Sequence, residues 1–386
     1  MKPIYLDYAA ATPVRKEVLI AMEPYFYPFY ANPGSVHPAG KKAKEAVETA
    51  RKKVASLLEA EDSSKIIFTG SGTESINLAL QGIAHAYKKK GNHIITTKIE
   101  HKAVLETCRF LEESGHCMVT YLDVDNFGRI NPRDVEKAIT KKTILISVMY
   151  ANNEIGTIQQ IAEIGKMARQ KKIFFHTDAC QATGALDLSV RNLDVDLLTL
   201  NGSKMYGPKG IGMLYVRKEI NLAPLIFGGG QEFGLRGGTE NVSGIIGFSK
   251  ALGLAQLERK QESERLTTLR DQFIEKVLKA IPRCTLNGHP TQRLPNNVNI
   301  SFADIDAETL LKALGEQGIY VSAGSACTAN SVAISHVLEA LHLPKAMARG
   351  TIRFTFGKGT NEKDLGIVLK TLKETVEILR KTETLK

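Results

Sequence analysis

The sequence predicts an α/β fold, with a large domain on a mostly parallel seven-stranded sheet and a smaller α/β domain towards the C-terminus. The first observation is that short β-rich runs alternate with helical runs from about residue 65 to 216. The second is that these β-rich runs are continuously apolar, as expected of strands covered by helices on both faces. The third is that strand and helix candidates alternate again from Asn296 onwards.

Each strand of the large sheet is predicted from a short run rich in β-branched and other apolar residues. The helices between the first strands are predicted over residues 74–87 and about 102–114. The seven strand candidates occupy residues 66–69, 93–97, 119–122, 143–149, 173–176, 197–200 and 212–216. Because ligands of such sheets bind beyond the carboxyl ends of the strands, we expect the functional site where these runs end.

The rest of the chain begins with a glycine-dense segment over 227–239, which is not compatible with a regular element. A long charged helix is predicted over about 244–280, and 298–302 and 351–355 are strand candidates. We expect residues 15–255 to form the large domain. Residues 1–14 and 256–386 are expected to form the small domain, which carries a loop at about 322–335.

The composition is that of a soluble globular protein, with 24% charged and 43% hydrophobic residues. No apolar stretch approaches the roughly 20 residues needed to span a bilayer, and the first residues lack a signal-peptide pattern. The five cysteines are odd in number and show no close pairing such as C-x-x-C. Since this argues against disulfides and against a zinc site, we predict a cytoplasmic protein without a bound metal.

The net charge of +10 is compatible with an anionic partner such as tRNA. However, the lysines are spread along the chain and aromatic residues make up only 6% of it. No basic stripe interleaved with stacking residues is visible, so we predict no direct binding of nucleic acid.

Lys204 and Asp178 form a pair that suits pyridoxal phosphate. Asp178 ends an apolar strand candidate, and Lys204 follows a second one in the glycine-containing run Asn-Gly-Ser-Lys-Met-Tyr-Gly-Pro. A lysine forms the Schiff base in such enzymes, and a carboxylate pairs with the protonated pyridine nitrogen so that the ring accepts electrons. A helix-capping aspartate and a solvated lysine before a Gly-Pro turn are the alternatives.

Two further signals lie at predicted strand ends. Residues 70–75, Gly-Ser-Gly-Thr-Glu-Ser, open a helix, and backbone amides there fit a phosphate. A simple N-cap by Ser71 or Thr73 explains this run equally well. His101 also stands between a strand and a helix, where an imidazole would stack on a pyridine ring and move protons near neutral pH. A purely structural histidine is the alternative.

Three residues point to an amino-acid substrate and a nucleophile. Asn153 follows the most apolar strand candidate, where an amide fixes a carboxylate or hydroxyl, or simply forms a turn. Arg353 lies within an apolar strand candidate, so its guanidinium needs an anion, either an α-carboxylate or a protein carboxylate. Cys327 lies in a small, polar stretch over 322–331 that permits a reactive thiol, or an unreactive loop cysteine.

Together these residues resemble a cysteine desulfurase, a homodimeric fold-type-I pyridoxal-phosphate enzyme of the class-V aminotransferase family. The resemblance runs from Tyr5 to about Gly357. Its motifs are Gly-Thr-Glu-Ser at 72–75, Glu-His-Lys-Ala-Val at 100–104, Asn-Asn-Glu-Ile-Gly at 152–156, Arg-Gly-Gly-Thr-Glu-Asn at 236–241 and Gly-Ser-Ala-Cys-Thr at 324–328. The last motif is similar to that of the family members whose catalytic cysteine lies on a longer mobile loop.

The resemblance implies roles for four residues around the cofactor ring. Lys204 holds the cofactor as a Schiff base and, once the substrate displaces it, shuttles protons. Asp178 pairs with the pyridine nitrogen, and Gln181 hydrogen-bonds the ring hydroxyl. His101 stacks on the ring and acts as an acid and base.

The resemblance also implies a phosphate site made of Gly72, Thr73, Asn201 and Ser203, with Thr239 reaching in from the other subunit. The family usually has a serine, a small residue and a histidine before the Schiff-base lysine, whereas this chain has Asn-Gly-Ser at 201–203. The serine hydroxyl replaces an imidazole donor, so the sequence predicts a lower affinity for the cofactor.

For the substrate, the resemblance implies that Asn153, which also contacts the cofactor, and Arg353 fix the carboxylate of L-cysteine. Cys327 then attacks the substrate sulfur and becomes a persulfide, and alanine is released. The sulfur acceptor is expected to be an iron–sulfur scaffold or a tRNA-thiolation protein. Family members that engage the scaffold often carry a longer C-terminal tail, whereas this chain stops at Lys386, which leaves that partnership open. Selenocysteine lyase and a catalytically weak partner-binding homologue are the alternative functions.

Overall fold

The structure is a computed structural model that describes residues 3–324 and 334–383. Its strands are β1 (Ile4–Tyr5), β2 (Ile66–Thr69), β3 (His93–Thr97), β4 (Met118–Leu122), β5 (Thr143–Ser147), β6 (Phe174–Asp178), β7 (Leu197–Asn201), β8 (Gly212–Val216), β9 (Cys284–Leu286), β10 (Asn297–Phe302), β11 (Ile319–Tyr320) and β12 (Thr351–Thr355). Its helices are α1 (Lys16–Met22), α2 (Pro38–Leu57), α3 (Gly72–Ala86), α4 (Lys102–Glu113), α5 (Pro132–Ala138), α6 (Ile161–Gln170), α7 (Val190–Leu193), α8 (Val242–Ala280), α9 (Ala307–Glu316), α10 (His336–Ala340), α11 (Lys345–Ala348) and α12 (Glu362–Glu383).

The large sheet has seven strands in the order β2-β8-β7-β6-β5-β3-β4. Strand β8 is antiparallel to both of its neighbours, and all other neighbouring pairs are parallel. The predicted α/β class and the mostly parallel seven-stranded sheet are therefore confirmed. Strands β2, β3, β5, β6 and β7 all run in one direction, so their carboxyl ends meet at one edge of the sheet.

Helices cover both faces of this sheet because alternate strand residues point to opposite sides. Ile67 and Ile94 belong to one hydrophobic core, while their neighbours Phe68 and Ile95 belong to the other. The predicted elements agree with the structure to within a few residues. Helix α3 begins at Gly72, two residues before the prediction, because the Ser71 side chain accepts a hydrogen bond from the Glu74 amide and caps the helix.

A separate hydrophobic core joins the two ends of the chain. Ile4 and Leu6 pack with apolar residues of the second half of α8, of the antiparallel sheet β12-β10-β9, and of helices α9 and α12. Strand β1 pairs in parallel with β11. Helix α8 is 39 residues long and contributes to both cores. The expected domain boundary at 255/256 falls inside this continuous helix, and the division into 15–255 and the remainder stays a prediction.

No helix within the described ranges is long and apolar enough to cross a membrane.

Candidate active site

A cavity of about 220 Å³ opens at the carboxyl edge of the large sheet. The strand ends bring predicted site residues from distant parts of the sequence to its walls. Those that line it are Gly72, Thr73, His101, Asn153, Asp178, Gln181, Asn201, Lys204 and Arg353. For all of these residues except Arg353, which lies on β12, their meeting in one cavity follows from the shared direction of strands β2, β3, β5, β6 and β7.

The amine of Lys204 is held by the N-terminal segment. Lys204 ends the tight turn Gly202–Lys204 that follows β7. Its Nζ donates hydrogen bonds to the carbonyl oxygens of Ala9 at 2.8 Å and Ala10 at 2.6 Å. Gln181 Nε2 donates to the same Ala9 oxygen at 3.0 Å. These two hydrogen bonds fix the position of the lysine amine.

Asp178 presents a buried carboxylate at the end of β6. Its Oδ1 accepts a hydrogen bond from the Cys180 amide at 3.0 Å. Beneath it, the buried ring of His176 contacts the hydroxyls of Ser147 at 2.9 Å and Thr199 at 3.0 Å. Burial lowers the pKa of His176 to about 4, so this ring is neutral at neutral pH. The carboxylate of Asp178 therefore has no cation directly below it and is suited to a cationic partner in the cavity.

The ring of His101 has a defined orientation at the start of α4. Its Nδ1 accepts a hydrogen bond from the Ala103 amide at 3.0 Å, as an N-cap. The proton of the neutral ring therefore lies on Nε2. Burial lowers the pKa of His101, Asp178 raises it and Lys204 lowers it again, with a net lowering. At neutral pH the site thus holds a neutral imidazole that donates from Nε2.

Gly72 allows the N-terminus of α3 to pack closely against Cys180 and Asn201. A Cβ atom there would lie 3.0 Å from Cys180 Sγ and 3.2 Å from Asn201 Cβ. The helix N-terminus carries a partial positive charge and free amides, which favour an anion. Thr73 is exposed at the same wall of the cavity. The N-terminus of α3 at this cavity wall fits a phosphate group.

Arg353 is a buried guanidinium whose Nε has no partner among the described residues. It is 2% exposed. Its Nη2 contacts Asp7 Oδ1 at 2.7 Å, and its Nη1 donates to the Asn153 carbonyl at 3.0 Å. Its Nε is buried and has no partner among the described residues. Asp7 is therefore the protein carboxylate that the sequence offered as one partner of Arg353. The Nε donor remains for a carboxylate in the cavity.

These features fit pyridoxal phosphate. The cavity offers an amine, a buried carboxylate and an amide-lined opening at a helix N-terminus, which match the aldehyde, the pyridine nitrogen and the phosphate of the cofactor. The donor set that remains, on Arg353 and His101, suits an amino acid. The roles of the individual residues stay predictions.

Two predicted residues, Ser203 and Thr239, do not line this cavity, and a third is not among the described residues. Ser203 is beside Lys204, but its carbonyl accepts hydrogen bonds from the backbone and hydroxyl of Thr12 at 3.0 and 2.9 Å. Thr239 lines a different cavity of about 190 Å³. Cys327 lies outside the described residues.

The described residues on either side of Cys327 lie close to Arg353. The backbones of Ser322 and Arg353 exchange two hydrogen bonds, at 3.1 and 2.7 Å. On the other side, Ser335 Oγ donates to Glu154 Oε2 at 2.6 Å. Glu154 Oε2 would also lie 3.2 Å from a Cβ added to Gly324. Ser322 is thus attached to the backbone of Arg353, and Ser335 to Glu154, which follows the residue whose carbonyl the guanidinium contacts.

Glu100 is a buried acid that the sequence analysis did not single out. Its Oε1 accepts hydrogen bonds from Thr97 Oγ1 and the Met149 amide, both at 2.9 Å, and its Oε2 has no partner among the described residues. Burial, together with the nearby Asp178, raises the pKa of Glu100 to about 8. The sequence signal that could have identified Glu100 is a charged residue shortly after the apolar strand β3.

Comparison with known proteins identifies relatives over almost the whole chain. The family model described as aminotransferase class-V matches residues 4–368. A curated relative named cysteine desulfurase IscS, from Dictyoglomus turgidum, is 51% identical over 98% of this chain and 96% of its own length. Another of that name, from Methanosarcina thermophila, is 50% identical over 98% of this chain and 93% of its own length.

Solved structures show the same architecture. A NifS-like protein superposes with a TM-score of 0.91 at 36% identity, and the match covers 97% of this chain and 100% of that one. A structure described as SspA in complex with cysteine superposes with a TM-score of 0.81 at 41% identity, covering 92% of this chain and 98% of that one.

Proposed function

The chain belongs to the class-V aminotransferase family, and we propose that it is a pyridoxal-phosphate-dependent cysteine desulfurase that releases L-alanine from L-cysteine. The observation that carries this proposal is the single cavity that gathers Lys204, Asp178, His101 and Arg353. An amine and a buried carboxylate suit the cofactor, and the remaining donors suit an amino acid.

The cofactor would be held by residues from four strand ends. Lys204 would bind it through Nζ, Asp178 would pair with its ring nitrogen, and Gln181 and Asn153 would contact its ring. Its phosphate would be bound by Gly72, Thr73, Asn201 and Ser203. When bound, pyridoxal phosphate supplies an electron sink that weakens the C–S bond of the substrate.

The protein's own groups bind the substrate and move its protons. Arg353 Nε donates to the carboxylate of L-cysteine, and Asn153 lies beside it because its carbonyl accepts from Arg353 Nη1. Lys204 Nζ holds a proton that the carbonyls of Ala9 and Ala10 orient. His101 keeps a second exchangeable proton on Nε2. The site thus has two proton carriers of different ordinary pKa, one on each side of neutral pH.

Cys327 is the proposed nucleophile. Its sulfur forms a bond with the substrate sulfur while the substrate C–S bond breaks, and the carbon keeps the electron pair and takes up a proton. The products are alanine and a persulfide on Cys327. Ser322 is attached to the backbone of Arg353, and Ser335 to Glu154, which supports an approach of this stretch to the substrate.

The proposal extends to the assembly and the destination of the sulfur. We include a homodimer in which Thr239 of one copy completes the phosphate site of the other. The relatives named IscS support a protein acceptor that serves iron–sulfur cluster assembly, and tRNA thiolation is the alternative destination. A cytoplasmic location rests on the odd number of cysteines without close pairing.

The test is the release of alanine and sulfide from L-cysteine under a reductant. We expect the native chain to give both in equal amounts, and Lys204→Ala and Cys327→Ala to give neither. Cys284→Ala is the matched control, because that half-buried cysteine lies in β9 away from the cavity. Alanine released without Cys327 would contradict the persulfide step and favour a lyase such as selenocysteine lyase. A native chain that binds the cofactor but releases no alanine would favour a partner-binding homologue.

A further inference from the structure

The glycine-dense segment folds into a closed loop. Ile226 and Arg236 form a parallel bridge, and the Gly237 amide donates to the Ile226 carbonyl at 3.0 Å. The two ends of the segment 226–239 are therefore side by side, and the residues between them form one compact unit. We call this segment the glycine loop.

A buried ion pair fixes the middle of the glycine loop. Arg51 Nη1 contacts Glu232 Oε2 at 2.7 Å, and Arg51 Nη2 contacts Glu232 Oε1 at 2.9 Å. The Phe68 amide donates to Glu232 Oε2 at 2.8 Å. Arg51 is 2% and Glu232 5% exposed. Because this bidentate pair has few other arrangements open to it, it fixes the loop against α2 and β2.

The backbone of the glycine loop needs this restraint. Glu232 has a φ of 46° and Phe233 a φ of 58°, both in the left-handed region that residues with a side chain seldom adopt. The Arg51 guanidinium lies 5.0 Å from the ring centroid of Phe68 and 5.1 Å from that of Phe233. The ion pair and the two cation–π contacts together compensate for the unfavourable backbone conformation.

A second ion pair ties the end of the glycine loop to the start of α3. Arg236 Nε contacts Glu74 Oε1 at 3.0 Å, and Glu74 Oε2 accepts from the Gly70 amide at 2.8 Å. The inner side of the loop is thus bound at two points to the framework of its own subunit.

The outer side of the glycine loop has no such partners within the described residues. Phe227 is 83% exposed, and Thr239 is exposed as well. Thr239 lines a cavity separate from the candidate active site of its own chain. The loop is therefore rigid on the inside and presents apolar and hydroxyl groups outwards.

We infer that the Arg51–Glu232 ion pair is a positioning element for the active site of the second copy. It holds the glycine loop in the one conformation that places Thr239 at the cofactor phosphate bound by the other subunit. This inference rests on the proposed homodimer and cofactor. Arg51 and Glu232 touch neither the cofactor nor the substrate, so their effect acts entirely through Thr239.

The test uses hybrid dimers in which one subunit carries Lys204→Ala, so that only the other subunit retains the Schiff-base lysine. In the trans hybrid, Glu232→Gln is on the subunit that lacks Lys204. In the cis hybrid, Glu232→Gln is on the subunit that retains it. Two affinity tags separate each hybrid from the homodimers. The affinity for pyridoxal phosphate and the release of alanine are measured for both.

We expect the trans hybrid to bind pyridoxal phosphate about tenfold more weakly than the hybrid with Lys204→Ala alone, the size typical of losing one hydrogen bond to a charged group. The cis hybrid should stay within about twofold of the same reference, since its functional site receives an unaltered loop. Thr239→Ala should give the same asymmetry. Arg51→Lys, which keeps the charge but loses the bidentate contact, should give a smaller loss in trans.

The cis hybrid also controls for folding, because the altered subunit then has to form a working site itself. Glu45→Gln, at an exposed position of α2, is the matched control and should change neither hybrid. Equal losses in cis and trans, no loss in either, or a monomeric native protein would each overturn the inference. A native protein that binds pyridoxal phosphate without releasing alanine would refute the proposed activity. The affinities of the cis and trans hybrids for pyridoxal phosphate would still test the positioning role.

Discussion

Replacing Glu100 by glutamine should change how the stability of the protein depends on pH. Glu100 is 1% exposed, and its carboxyl group receives two hydrogen bonds on Oε1 and none from described residues on Oε2. Burial, together with Asp178, raises its pKa to about 8 from the ordinary 4.5. Glutamine has the same shape as the protonated acid and no charge, so it preserves the neutral state at every pH.

The sign follows from proton binding. Between pH 4.5 and about 8 the folded state keeps the Glu100 proton, whereas the unfolded state has lost it. The contribution of this group is therefore fully present below pH 4.5 and is lost as the pH rises towards 8. At about 1.4 kcal/mol for each pH unit, the native protein should lose about 5 kcal/mol relative to Glu100→Gln across this window, as an upper bound.

The assay is urea unfolding of both proteins, saturated with pyridoxal phosphate, at a series of pH values from about 5 to 8.5. The difference in free energy between native protein and variant isolates Glu100, because other titrating groups are common to both. Glu113→Gln is the matched control, since Glu113 is exposed at the end of α4. The unfolding free energy of this variant should depend on pH in the same way as that of the native protein. If the free energies of unfolding of the native protein and of Glu100→Gln differed by the same amount at every pH, the assignment of a protonated Glu100 would be refuted.

Two further substitutions test the cavity. Arg353→Lys should raise the KM for L-cysteine about tenfold or more while affecting kcat less, because lysine keeps the charge but lacks the Nε donor. The control Arg133→Lys, at an exposed position, should change neither KM nor kcat. Gly72→Ala should weaken pyridoxal-phosphate binding about tenfold, measured by titration of the apoenzyme, because the new methyl group meets neighbours closer than 3.4 Å. Gly366→Ala, which has open space, should leave the affinity unchanged, and an equal loss there would contradict the steric reasoning.

The large sheet and its functional edge could be predicted from the sequence because they depend on local signals. Each strand is a short apolar run, and parallel strands bring their carboxyl ends together. That rule alone places Asp178, His101 and Asn153 close to one another. It applies equally to Lys204, which follows the next strand of the sheet.

Other parts of the site depend on contacts between distant segments, and no local pattern reports them. Asp7 meets Arg353 across most of the chain, and the carbonyls of Ala9 and Ala10 reach Lys204 only after the N-terminal segment has packed. Helix α2 and the short strands β1, β9 and β11 were not predicted. Strands β1 and β11 have only two residues each, too few to show a periodicity.

The N-terminal segment gives the assembly of the site a definite order in time. Strand β1 pairs with β11, and the carbonyls that hold Lys204 follow β1 by a few residues. During synthesis β1 must therefore wait, unpaired, until Ile319 and Tyr320 have left the ribosome. At about 5–20 residues per second this delay is on the order of tens of seconds. The large sheet is complete long before that, so the nascent protein passes through a stage in which its framework exists while its lysine has yet to be fixed.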